Sequence, residues 1–136
     1  MIRFYANQAG YLPKGRKIAV LAQENRADEM EKMQDKQVSL WNEKGEQTAV
    51  KQAVYAGVDE SAEDKVWHID FSDLTEEGTV TFQDGEGAVL GSCIISSKAY
   101  HTLNQTLCKA LYFQRCGMAL EETFAGKFRR CTCHTG

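Results

Sequence analysis

The first hundred residues alternate apolar and polar positions with a period of two, the repeat of a strand with one buried face. IRFYA (2–6) opens the chain, and RKIAVLA (16–22) is a short apolar run after Pro13 and Gly15. QVSLW (37–41) puts Val38 and Leu40 on one side; EKG (43–45) turns, and TAVKQAVYAG (48–57) returns as a hairpin partner. In KVWHIDFS (65–72), Val66, His68 and Asp70 face one way and Trp67, Ile69 and Phe71 the other. A turn at Gly78 leads into TVTFQ (79–83), DGEG (84–87) turns again, and AVLGSCIIS (88–96) closes the series. Six or seven short strands at a spacing of about ten residues predict an all-β sandwich. The polar stretch ENRADEMEKMQDK (24–36) is expected to be a long solvated loop between strands.

After Ser96 the period changes. Tyr100, Leu103, Leu107, Ala110, Leu111 and Gln114 follow one another at three- and four-residue steps, which form one stripe along a helix. The predicted helix has about twenty residues, or about 30 Å, with Ser96 or Ser97 capping its start and Gly117 ending it. A sandwich already buries its own inner faces, so such a helix needs another partner. The chain therefore divides into a β-sandwich domain (1–96) and the opening of a second, helical domain (97–136). The stripe of Tyr100, Leu103, Leu107 and Leu111 is expected to be covered, by a second copy of the chain or by the sandwich.

Composition narrows the function classes. At 136 residues the chain suits one domain, or one domain and part of the next. A net charge of −3 leaves no overall basic footprint for nucleic acid. The charge is split, with six basic and two acidic residues after Ser96, so that this part carries +4 and residues 1–96 carry −7. No run of eighteen apolar residues exists, so no membrane span is expected. MIRFYANQ lacks the apolar core of a signal peptide; a native Met1 implies the cytoplasm, and a leader removed upstream implies secretion. Four of the five cysteines lie after residue 100, a clustering that suits a metal or redox site better than a disulfide framework.

The motifs NQAGYLPKGRKIAVL (7–21), VWHIDFSDLTEEGTVTF (66–82), YFQRCGMAL (112–120) and AGKFRRCTCHTG (125–136), taken in order, resemble glycoside hydrolase family 9, the cellulases and endoglucanases. Asn7, Gln8, Gly10, Tyr11 and Pro13 match the opening of the immunoglobulin-like domain that precedes the catalytic (α/α)₆ barrel in that family. The later motifs resemble the first barrel helix and the loop after it. The resemblance implies an immunoglobulin-like β-sandwich, then one C-terminal helix and part of a loop. It implies a parent that hydrolyses β-1,4-glucan by inversion, with two separated carboxylates. The segments that carry those carboxylates in the family are not in this sequence, so no catalytic residue is assigned and this chain alone is expected to be inactive.

Several members of that family hold zinc through Cys, Cys, His and a further His downstream. The resemblance places three of these ligands at Cys116, Cys133 and His134, with the fourth outside this sequence. Thiolates and imidazole suit zinc, although three ligands on a loose tail bind poorly because metal affinity is also folding free energy. The family's His-x-x-Cys-His has Arg130 here in place of its first histidine, and Cys131 where a small residue is usual.

Other candidates weigh less. Cys108 reads as a small apolar helix residue, as does Cys116 if it holds no metal; Cys131 and Cys133 are expected to be exposed. Asp70, Asp73, Glu76 and Glu77 lie at a strand end and turn, where carboxylates usually face water. His68 reads as a surface histidine. Trp41, Trp67, Tyr11 and Phe71 read as core residues more than as a sugar-stacking platform. Gly85 and Gly87 form a turn without the strand-to-helix context of a phosphate loop. The alternative function is a self-contained immunoglobulin-like interaction module that self-associates through its C-terminal helix.

Overall fold

The computed structural model describes residues 2–24 and 36–134. Two units make up the chain, Met1–Ala99 and Tyr100–Gly136. The first holds seven strands: β1 (Ile2–Tyr5), β2 (Ile18–Glu24), β3 (Lys36–Trp41), β4 (Gln47–Asp59), β5 (Asp64–Asp70), β6 (Gly78–Gln83) and β7 (Val89–Ile95). They form one antiparallel ladder in the order β1-β2-β5-β4-β3-β6-β7. The ladder folds over on itself as a sandwich, so that Phe4 of β1 lies against Gly91 of β7. A Cβ on Gly91 would stand 2.3 Å from the Phe4 ring, so a bare glycine is what admits that ring.

The alternation predicted from sequence sets the faces. Trp67, Ile69 and Phe71 are buried, whereas His68 and Asp70 are exposed. Leu21, Val38, Leu40, Phe82 and Ile95 fill the interior with them. A line of rings crosses the core: Tyr11 meets Phe71 edge-on at 5.2 Å, Phe71 meets Phe82 at 5.2 Å, and Phe82 meets Phe4 at 4.9 Å. Each fully buried Phe contributes about 1.5–3 kcal/mol from area alone. Trp41 is half-buried outside this line, and its indole N–H donates to Ser39 Oγ.

The segment before β2 plugs one end of the sandwich. Asn7 Oδ1 accepts from the Ala9 amide, and the Gly10 amide closes a turn on the Asn7 carbonyl, both at 3.0 Å. Tyr11 then pairs with β7: its N–H donates to Ile94 O at 2.8 Å, and its carbonyl accepts from Ser96 N at 2.9 Å. The Tyr11 hydroxyl accepts from Asn7 N at 3.0 Å and donates to Ile18 O at 2.5 Å. These bonds explain why Asn, Gly and Tyr stand at fixed spacing in this opening.

Several expected boundaries differ. β2 begins at Ile18 rather than residue 16, because Arg16 and Lys17 belong to the plug, and β4 runs thirteen residues. The expected loop 24–36 lies outside the described residues, apart from Glu24 and Lys36 at its ends.

In the second unit, α1 (His101–Phe113) has thirteen residues, shorter than predicted. Neither Ser96 nor Ser97 caps it. The Ser96 side chain and carbonyl instead accept from Lys98 N and Ala99 N, closing a turn that delays the helix until after Tyr100. Gly117 does adopt the left-handed region at φ 73°, but four residues past the last helical one. The segment after it is more than a loop. It contains a one-turn helix, α2 (Glu122–Ala125), followed by a 3₁₀ turn over Gly126–Phe128. Leu120 and Ala125 are buried there, and Phe124 and Phe128 stack edge-on against Tyr112 and Phe113 at 5.9 and 5.8 Å. No residue of α1 is buried. Leu103, Leu107 and Leu111 are 45, 54 and 68% exposed. No described helix is long and apolar enough to cross a membrane.

Candidate metal centre

The segment that follows α1 and the last described residues run antiparallel. Leu120 N donates to Arg130 O at 2.9 Å and Arg130 N returns to Leu120 O at 3.2 Å; Gly117 N donates to Cys133 O at 3.0 Å. This ladder brings Cys116 and Cys133, seventeen residues apart in sequence, close together. Cys116 Sγ, Cys133 Sγ and a ring nitrogen of His134 all lie within 4.8 Å of one another. The structure thus brings together all three residues that the family motif points to. Cys116 and His134 are exposed and Cys133 is half-buried, so Cys133 is less open than its Cys-x-Cys spacing suggests.

Hydrogen bonding to the His134 ring holds the Cys133 thiol below its ordinary value, with the Gly117 amide and the Arg130 charge acting in the same direction. Arg130 is the residue whose role sequence reasoning missed. Its Nη1 donates to Cys133 Sγ at 2.9 Å, and its Nη2 donates to Arg115 O at 2.6 Å and Phe113 O at 3.3 Å. The donor set fits zinc chemically. Donors about 2.0–2.3 Å from a tetrahedral zinc stand roughly 3.5–4 Å apart, so atoms that all lie within 4.8 Å of one another would close by no more than about 1 Å to reach that spacing.

The other sulfurs differ from these. Cys93 sits in the sandwich core, and burial pushes its thiol up to about 11, which leaves it inert near neutral pH. Cys108 and Cys131 are exposed, Cys108 on α1, where no residue is buried.

The carboxylates near β5 are arranged as surface groups. Hydrogen bonds from Ser72 hold Asp70 below the usual range, and one from Lys51 does the same for Asp73. Both are ionised near neutral pH and neither is poised to donate a proton. In the DGEG turn the Glu86, Gly87 and Ala88 amides are already taken, because Asp84 Oδ1 accepts from Glu86 N and Ala88 N at 2.9 and 2.8 Å and the Asp84 carbonyl accepts from Gly87 N at 3.1 Å.

A folded-over antiparallel ladder with an aromatic interior defines the first unit as an immunoglobulin-like sandwich. Residues 3–87 match the family profile described as the cellulase N-terminal Ig-like domain. The chain belongs to that family, the immunoglobulin-like N-terminal domains of glycoside hydrolase family 9 cellulases. It is 34% identical to a cellodextrinase of Butyrivibrio fibrisolvens over 98% of its own length and 22% of that protein. Among solved structures, a thermostable endoglucanase from Alicyclobacillus acidocaldarius superposes with a TM-score of 0.74 at 23% identity, over 98% of this chain and 22% of that one. A Zn-binding triple mutant of a family 9 endoglucanase superposes with a TM-score of 0.64 at 22% identity, over 90% of this chain and 21% of that one. The chain therefore spans about a fifth of the length of these relatives.

Proposed function

We propose that this chain is the non-catalytic front of a cellulase-type hydrolase that cleaves β-1,4-glucan by inversion. In this reading the sandwich supports a catalytic barrel, and residues 97–136 are the barrel's first helix and loop. The observation that carries it is the match to the cellodextrinase, which extends through 98% of this chain but only 22% of that protein. The leucine stripe on α1 supports it, because a helix with an apolar side and no buried residue is built to be covered. The chain by itself is expected to release no reducing ends from β-1,4-glucan, while the same chain produced with the coding sequence that follows it does. Turnover by the pure short chain, absent from a mock preparation, overturns this reading.

The proposal extends to zinc. Cys116, Cys133 and His134 would hold it, and the metal's chemistry there would be structural, tying the loop to the end of α1. That a triple mutant of a family 9 endoglucanase of the same fold binds zinc supports zinc on this architecture, without naming its ligands.

The exposure of Leu103, Leu107 and Leu111 favours a second reading, a module that self-associates through α1. Sedimentation then shows the chain shifting from monomer to dimer with concentration, and Leu107→Glu holds it monomeric. A wild-type monomer at every concentration removes this reading.

A further inference from the structure

We propose that Arg130 is the positioning residue of the thiol–imidazole cluster, fastening Cys133 to the carbonyl end of α1 so that the two sulfurs are set before a metal arrives. This rests on the zinc reading above. The last carbonyls of a helix have no partner within it. Here one nitrogen of a single planar guanidinium satisfies the carbonyl of Phe113, the last helical residue, and that of Arg115 two residues beyond it, while its other nitrogen reaches the sulfur of Cys133. A cation at a helix C-terminus is also favoured by the helix dipole.

The location of the arginine is fixed independently. Its backbone exchanges two hydrogen bonds with Leu120, so only the side chain spans from the ladder back to the helix. Cys116 follows Arg115 directly, so the carbonyl that Arg130 grips most closely adjoins the other thiol. Lysine does not reproduce this arrangement, because an ammonium is a point donor and cannot offer the sulfur and both carbonyls one rigid fork. Groups that hydrogen-bond a metal's ligands typically contribute ten- to hundredfold in affinity.

The test is Co²⁺ titration of the chain, followed by its thiolate-to-metal absorption and then by Zn²⁺ competition, for wild type, Arg130→Met and Arg130→Lys. Arg130→Met is expected to lose roughly 10–100-fold in affinity, with Arg130→Lys recovering only part of the loss. Amide hydrogen exchange on the metal-free chain gives a second readout. Gly117 and Leu120, whose N–H groups donate to Cys133 and Arg130 carbonyls, are expected to exchange faster in Arg130→Met, while the interior of α1 is unchanged. Equal affinity in all three proteins overturns the proposal. So does unchanged exchange, or exchange that accelerates uniformly through α1, which would make Arg130 a folding residue only. A wild type with no thiolate–Co²⁺ absorption removes the zinc reading, and the exchange pattern alone then decides whether the clamp exists.

Discussion

Replacing Lys17 by methionine lowers the stability of the sandwich by about 2–4 kcal/mol. Lys17 is completely buried, and its ammonium donates to Pro13 O at 2.7 Å, Gly15 O at 2.9 Å and Leu12 O at 3.4 Å. Three donors meet three acceptors, and no buried side-chain nitrogen or oxygen among the described residues lacks a partner. A buried ion pair can often be exchanged for apolar residues at little cost, because both charges leave together. That exchange is not open here, since the partners are main-chain carbonyls and stay behind. Each unsatisfied buried acceptor costs about 1–3 kcal/mol, offset in part by the methionine's own burial. For a domain of this size each kcal/mol moves Tm by about 4–8 °C, so thermal unfolding should shift down by about 8–32 °C. A change under about 0.5 kcal/mol, the range of ordinary surface substitutions, would show that water replaces the ammonium freely.

Lys17 also shows where sequence reading stops. Trp67, Ile69 and Phe71 were legible because a pleated strand must alternate its faces, and the alternation is written in the residue types. A lysine just after a Pro–Gly turn has no such signature. Its burial follows from three carbonyls of the Leu12–Gly15 turn pointing at one spot, which only the folded backbone arranges. The helix stripe was legible for the same periodic reason as the strands, whereas its start was not. Ser96 was free, in sequence, to cap a helix or to close a turn, and it closes a turn onto Lys98 and Ala99. The one-turn helix at Glu122–Ala125 is too short for a period to show.

The thiol–imidazole cluster divides similarly. Nothing local joins Cys116 to Cys133, and the family motif is what pairs them; the antiparallel return between Gly117 and Cys133 is the physical reason the two side chains lie close together. Arg130 stood out in the sequence only as a departure from that motif. Its three side-chain bonds depend on where the helix ends, and the helix ends short of the position its apolar period suggested.

Gly10→Ala is the second large effect, with an expected loss of about 3 kcal/mol. Two costs coincide at this position. Gly10 has φ 92°, a region that side chains rarely adopt, and holding one there costs about 1–3 kcal/mol. A Cβ would also stand 2.8 Å from the Ile94 carbonyl oxygen, which is backbone and cannot swing away. That oxygen accepts the Tyr11 N–H at 2.8 Å, so relief of the clash loosens the pairing of the plug with β7. Gly45→Ala separates the two costs: its φ is 75°, yet nothing lies within 4 Å of the added methyl. That control should lose about 1 kcal/mol, from backbone strain alone. Urea unfolding of both variants measures the difference, which is the cost of crowding Ile94. If the two glycines prove equally replaceable, the plug is not seated against β7 as the hydrogen bonds of Tyr11 require.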